Sequence, residues 1–292
     1  MAVKLMFVHA LSALHAGTGQ GVGTIDLPIA RERATNLPVV PGSSIKGCLK
    51  EACRGPADKE ADWKAGWEAT FGKAEAAGLL QVADARLLLL PVRCMGASFV
   101  WTTSPYVLRR FRRDLEAAGL VDGVPAVPDL AEETASVAAS DPLVTVSGKS
   151  KLVLEDLDFQ ASVGDADEWA TWIGKGLFGE GDPWLAEFRK RFAIVDDKSF
   201  HFLAEFATEV AAHVKISDLT GTVDREQGAL WYQEALPAET VLVSLLRAEE
   251  RSGALEAKAV FGVVAGTRYL QLGGKATTGQ GLVRLAIQGG AA

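Results

Sequence analysis

The sequence has no apolar run near the roughly 20 residues that a membrane span needs, and its first 17 residues hold one lysine and no long greasy stretch ahead of the small residues. A cytoplasmic protein with no membrane partner is therefore expected. Cysteine is scarce. Cys48, Cys53 and Cys94 make neither a CxxC pair nor a His/Cys cluster, which argues against a disulfide framework or a structural zinc and predicts reduced, mostly buried thiols. The short motifs of the common enzyme classes are missing too. GTGQGVG lacks the G-x-G-x-x-G spacing, Gly274-Lys275 is followed by Ala276 where a P-loop needs Ser or Thr, and neither G-x-S-x-G nor H-E-x-x-H occurs. Nor is there an excess of basic charge. With 30 Lys and Arg against 37 Asp and Glu, the net charge of -7 opposes the usual footprint of a nucleic-acid-binding domain.

What is present is a chain of 292 residues, 48% hydrophobic, able to fill the core of one large domain or two small ones. Its cations are grouped: Lys46, Lys50 and Arg54; Arg109, Arg110, Arg112 and Arg113; Arg189, Lys190 and Arg191. Exposed charges more than about 10 Å apart are largely screened, so a local cluster can still face phosphates. Solvated helix faces are the plainer alternative.

Residues 3–9 read as a first strand, running into HAGTGQGVGTIDLP, where four alternating glycines forbid regular packing. A helix follows Pro41-Gly42, capped by Ser43 or Ser44 and ended by Gly55-Pro56, with Ile45, Cys48, Leu49, Ala52 and Cys53 on its buried face. Lys46, Lys50 and Arg54 form a stripe on another face, near the end that favours anions. Trp63, Trp67 and Phe71 stack on a second helix as core. Strands are expected at 79–82, 87–92, 97–103, 151–154 and 240–247, with 87–92 central, and helices from Pro105, at 183–192 and at 199–212. In the Pro105 helix Val107 or Leu108, Phe111 and Leu115 face inward and four arginines outward. Residues 119–150, rich in Gly, Pro, Ser and Asp, read as a loop or insertion. Two strand-like runs around a glycine-rich turn close the chain, and the whole reads as α+β in a single domain.

HAGTGQGVGTIDLPIARERATNLPVVPGSSIKGCLKEACR resembles the opening signature of the RAMP superfamily of CRISPR effector proteins: a strand, a His-x-G loop, an Asp-containing segment and P-G-S-S-x-K-G. LQLGGKATTGQGLVRL is similar to that family's terminal glycine loop, and DARLLLLPVR with FVWTTSP resembles the backbone, or fourth, subunit of type III-B (Cmr) complexes. The resemblance implies a ferredoxin-like, RRM-derived palm with inserted thumb and finger segments, the thumb near 180–240. Its implied partners are a CRISPR guide RNA, target RNA, copies of itself and other subunits of the complex. It implies target cleavage in antiviral defence beside Asp26, which would also bind Mg²⁺ or another divalent cation held with the RNA. His15, Tyr232 and Glu234 are implied as catalytic support. Ser43, Ser44, Lys46, Gly47, Lys50, Arg54, Gly273, Gly274 and Lys275 are implied as guide contacts. The alternatives are a loop-capping aspartate at 26, a packed histidine at 15, hairpin core residues at 232 and 234, and a scaffold that binds RNA without cutting it.

Overall fold

The computed structural model describes residues 2–289, apart from residues 20, 22, 56–60, 217–221, 224–229 and 250–254 and the side chains of 61 and 62. Pro56, expected to help end the first helix, lies outside the described residues.

Strand β1 (Ala2–Ala10) is buried from Leu5 onward on both faces, as its unbroken apolar run requires. β2 (Val39–Val40) leads into α1 (Gly42–Ala52) and α2 (Ala61–Phe71). A small hairpin, β3 (Gly72–Lys73) and β4 (Ala76–Ala77), precedes β5 (Leu80–Val82), β6 (Ala85–Arg93), β7 (Phe99–Thr103) and α3 (Pro105–Ala117). Next come β8 (Thr134–Val137), β9 (Leu143–Val146), β10 (Lys149–Leu154), β11 (Leu157–Val163), α4 (Ala166–Phe178), α5 (Trp184–Lys190), β12 (Phe192–Val195) and α6 (Asp197–Phe206). A ribbon of β13 (Glu209–Val214) and β14 (Leu230–Ala235) precedes β15 (Val241–Ala248), α7 (Ala257–Val264), β16 (Tyr269–Gln271) and β17 (Leu282–Gln288).

Six of these elements, β1, α1, β6, β15, α7 and β17, follow one another as βαββαβ. Their strands lie side by side in the order β17-β1-β15-β6, every neighbouring pair antiparallel. That is the expected ferredoxin-like core. β16 extends one edge and β7, β12, β8, β11, β10 and β9 extend the other, so the insertion between the second and third core strands carries most of the added mass. β6 is central, as its continuous apolar run predicts. Met6, Val8, Leu242, Leu246, Val283 and Leu285 pack under α1 and α7 on one face. Leu5, Phe7, Trp101, Phe111, Trp169 and Phe188 fill the other under α3 to α6.

Several local expectations need correction. Of the two readings of residues 119–150, a loop or an insertion, the loop is excluded: β8 joins the main sheet between β12 and β11, and β9 pairs with β10, because Ala135 and Val137 turn inward from a segment otherwise rich in turn formers. The helix expected at 199–212 stops at Phe206, since residues 209–214 gain a full antiparallel partner in 230–235. Phe192 starts a strand instead of ending a helix. α4 and α7 were not anticipated, although Trp169, Ile173 and Leu177 recur at helical spacing; the glycines at 174 and 176 weaken that signal.

Neither Ser43 nor Ser44 caps α1. Pro41 holds the N-cap position, the Gly42 N–H donates to Asp84 Oδ1 at 2.8 Å, and both serines stay exposed. Gly42 is required there by close approach, because a Cβ would meet the Val82 carbonyl oxygen at 2.2 Å. On the helix's inner face Ile45, Leu49 and Cys53 are buried, whereas Cys48 is half-buried and Ala52 exposed. All three cysteines are unpaired, and burial pushes each thiol up from its ordinary value. Replacing Gly42 by Ala forces α1 away from β5 and is expected to cost about 1–3 kcal/mol, the range for overpacking, read as a fall in the urea midpoint at unchanged slope.

Candidate functional site

Three segments come together beside α1: the loop from Ser12 to Pro38, strand β14, and the glycine-rich turn before β17. What joins them is mostly backbone. β14 lies against β13 on one side and the loop on the other, where the Leu27 N–H donates to the Tyr232 carbonyl at 3.0 Å and the Glu234 N–H to the Leu27 carbonyl at 3.0 Å. Asp26 is thereby set at the exposed rim of this loop. It is exposed, and its Oδ2 accepts the Tyr232 N–H at 2.8 Å. One carboxylate oxygen is anchored to the strand on a residue that is exposed as a whole.

His15 is buried, with Nδ1 2.7 Å from the Glu234 carbonyl oxygen. Its anchor on β14 is two residues from that of Asp26, roughly 7 Å along an extended strand. Glycines crowd the imidazole from both sides. A Cβ at Gly17 would fall 2.4 Å from Nε2, one at Gly274 3.4 Å from Cδ2, and one at Gly273 2.5 Å from the His15 carbonyl oxygen. Gly273 also sits at φ 77°, and the Gly274 N–H donates to the His15 carbonyl at 2.9 Å. The glycines expected to let a ligand approach thus also let the two loops approach each other.

Glu234 is where the packing concentrates. Buried, it accepts from Arg31 at 2.5 Å and Thr208 at 2.9 Å through Oε1, and from the Ile29 N–H at 3.1 Å through Oε2. Arg31 also donates to the Asn36 and Ala204 carbonyls, both at 2.9 Å. Farther along the loop, Glu32 receives the Arg110 guanidinium through two bonds, 2.5 and 2.8 Å, and Thr35 Oγ1 at 2.6 Å. Burial works to raise the Glu32 carboxyl, but the bonds from Arg110 and Thr35 and the charges of Arg110 and Arg86 outweigh it and hold the group below its usual range. Tyr232, 38% exposed, stands on the ribbon beside Asp26, and Gln233 Nε2 reaches Gln280 Oε1 at 2.7 Å to tie β14 to the terminal turn.

The residues proposed for the guide divide over two sides of α1. Ser43, Ser44 and Gly47 line a groove of about 420 Å³ with Ala16, Gly17, Gly273 and Gly274. Lys46 and Lys50 line a second of about 610 Å³, where Ser43 and Lys73 also stand. There the Lys46 Nζ donates to the Leu80 carbonyl at 2.7 Å and the Lys50 Nζ to the Gly72 carbonyl at 2.8 Å. Burial, then the Lys50 charge, lower the Lys46 ammonium from its ordinary value. Arg54 is apart from both, paired with Glu51 over the Trp67 ring. Lys275, exposed at φ 65° past the two glycines, has no side-chain partner among the described residues.

A family model for the RAMP superfamily matches residues 7–284. The chain belongs to the RAMP superfamily. It is 34% identical over 294 residues to the CRISPR system Cmr endoribonuclease Cmr4 of Pyrococcus furiosus, covering 99% of this chain and 96% of that one. It is 25% identical to the CRISPR system CMR subunit Cmr4 of Saccharolobus solfataricus over 97% of this chain and 96% of that one. It superposes on oligomeric Cmr4 from Pyrococcus furiosus with a TM-score of 0.76 at 28% identity, both chains covered completely. A subunit of the type III-B Cmr-beta complex bound to cognate target RNA, 20% identical with a TM-score of 0.72 over 98% of this chain and 97% of that one, shares the fold.

In this RAMP protein the other basic clusters are largely spent inside the molecule. Arg110 is clamped to Glu32, Arg109 lies 3.8 Å from Asp197, and Arg189, Lys190 and Arg191 pair with Asp167 or Glu187. Arg112 and Arg113 are exposed. Among the described residues no group of three His, Cys, Asp or Glu side chains could hold a metal ion, and the oxygens of Glu234 are already occupied. Asp26 by itself would give a divalent cation one carboxylate ligand, so the described residues alone do not complete an octahedral shell. Among the described residues, no helix is long and apolar enough to cross a membrane.

Sequence reading did not find Arg31, Thr208, Asp84 or Gln280, whose roles depend on partners tens to hundreds of positions away. Truncating Glu234 to Ala strands Arg31, Thr208 and the Ile29 N–H and is expected to cost about 3–5 kcal/mol, the range for breaking a buried pair, measured by denaturant titration. The Glu32 clamp gives a pH dependence. Its carboxyl is depressed in the folded chain, so its contribution is complete above the ordinary glutamate value of 4.5 and is lost as pH falls below it. Arg110→Ala is expected to flatten that acid limb in unfolding curves taken between neutral pH and about pH 3.

Proposed function

We propose that this protein is a backbone subunit of a type III CRISPR ribonucleoprotein in antiviral defence, binding guide RNA in the grooves beside α1 and cutting complementary target RNA at Asp26. The observation that carries the reading is Asp26 itself: an exposed carboxylate with one oxygen fixed by the Tyr232 N–H, on the loop that also brings Ala16 and Gly17 into a glycine-lined groove. The near full-length likeness to a protein named as a Cmr endoribonuclease supports it.

The chemistry asks little of the protein. RNA brings its own nucleophile, the 2′-OH, so the subunit must hold it in line with the phosphorus and take its proton. As the 2′-oxygen bonds to phosphorus, the bond to the 5′-oxygen breaks. The 5′-oxygen takes a proton from solvent, leaving a 2′,3′-cyclic phosphate and a 5′-hydroxyl. In this reading Asp26 accepts the 2′-OH proton, and the Tyr232 N–H, bonded to Oδ2, keeps its carboxylate aimed. Lys275 offers a cation to phosphate charge from the terminal turn. A Mg²⁺ ion shared by Asp26 and the RNA phosphates would further neutralise that charge. His15 and Glu234 act beneath the surface as positioning residues. Guide contacts on Ser43, Ser44, Gly47, Gly273 and Gly274 suit a backbone gripped without regard to sequence.

The test is cleavage of target RNA by the reconstituted, guide-loaded complex with Mg²⁺. Asp26→Asn is expected to slow cutting by about 10²–10⁴-fold, the range for losing a general base, with target affinity unchanged. Equal cutting by both proteins would leave the subunit as the non-catalytic scaffold.

A further inference from the structure

On the palm, β16 pairs with β17 only through residues 282–284, while β1 pairs with β17 as far as Gln288. The Leu285 N–H still reaches the Arg268 carbonyl at 2.7 Å. Past that point no strand among the described residues covers the outer edge of β17. The two bonding groups of a strand residue point to one side and alternate from residue to residue. Since Leu285 turns its N–H outward, Ile287 turns both its N–H and its carbonyl outward as well.

That open edge is the floor of a cleft of about 530 Å³, walled by the end of α4 on one side and the end of α7 on the other. Lys4, Arg268 and Arg284 line it against one acid, Asp182. Arg284 is committed, donating to the Leu177 carbonyl at 3.0 Å and lying over the Phe178 ring. Asp182 is committed too, its carboxylate accepting the Trp184 N–H at 2.9 Å. Lys4 stands 5.2 Å above the Phe261 ring, and the exposed Arg268 has no side-chain partner among the described residues. Tyr269, 59% exposed, adds an aromatic surface. On a chain with net charge -7, this cleft therefore gathers cations. β1 carries the chain from Lys4 to Ala10, roughly 20 Å along an extended strand, before the loop that holds His15 and Asp26. The cleft and the rim are separate places.

We infer that this cleft docks an extended, acidic segment of another protein subunit, added as a strand along residues 285–288 of β17. An uncovered sheet edge is a template for a further strand, and natural proteins normally blunt or cover it. RNA would satisfy Lys4 and Arg268 but has no alternating N–H and C=O groups to complete the ladder at Ile287. An acidic strand satisfies both. The inference rests on the proposed membership of a multisubunit assembly.

The experiment is amide hydrogen exchange on the full chain, followed at Ile287, for the chain alone, with guide RNA, with the other protein subunits, and in the complete complex. Expected is exchange at Ile287 slowed about tenfold or more whenever the protein subunits are present, with or without RNA. The double variant Lys4→Glu, Arg268→Glu should lose that protection while residues 5–8 of β1 remain protected, showing that it folds. Protection by RNA alone, protection that grows with the concentration of the isolated chain, or no protection in a complex that has formed would each overturn the inference. Failure of the chain to co-elute with the other subunits would instead remove the assembly reading on which it stands.

Discussion

The site depends on one buried carboxylate. Glu234 gathers Arg31, Thr208 and the Ile29 N–H through its side chain while its backbone takes Leu27 and His15. Three pieces of chain that would otherwise be independent, the glycine-spaced loop, the end of α6 and the ribbon, are thereby fixed to one strand. A glycine-rich loop loses much conformational freedom on ordering, and a few exposed hydrogen bonds would not offset that loss. A desolvated carboxylate with charged and backbone donors is a stronger fastener. Asp26 benefits at second hand: the Leu27 bridge and the Tyr232 N–H hold it where that fastener holds β14.

The same economy explains how an acidic chain can face a polyanion. Most of its arginines are engaged with acids or carbonyls, stiffening the frame, and they do not make a basic face. What is presented beside α1 is small: serine hydroxyls, glycine backbone and a few lysines in two grooves. On the proposed function, such a surface would meet phosphate and sugar without reading bases, as a guide-directed protein requires. On that reading the electrostatic share of binding on one copy is modest, and affinity would accumulate over copies aligned on one RNA.

The core was legible because it follows periodicity. The unbroken apolar runs of β1 and β6, the Ile45–Leu49 face of α1 and the Pro105 helix came directly from spacing, and the helix start at Ser104 carries a side-chain cap to match. Capping of α1 misled, because a distant aspartate took the place of the adjacent serines. So did residues 209–212, whose alanines and valine carry no strong preference until β14 lies beside them. Within the site, Asp26, His15 and the terminal glycines stood out only through family resemblance. Arg31, which with Glu234 does most to hold them, looked like any surface cation in a charged run.

Placing the proposed reactive group, Asp26, on a loop and its support on strands has a consequence for tolerance to change. A substitution at Asp26 or Lys275 alters a side chain that the fold does not lean on, since both are exposed and Asp26 makes a single side-chain bond, to backbone, among the described residues. Chemistry can therefore be lost without loss of structure. Beneath the rim the reverse holds. Gly17, Gly273 and His15 are packed so closely that a single added methyl displaces the imidazole or the loop carrying it, and a displaced loop moves Asp26 with it. Loss of cutting after substitution at those positions reports on placement. The two kinds of loss separate physically, because only the second also shifts the unfolding midpoint, and that separation tells residues proposed to meet RNA from those that hold the others in place.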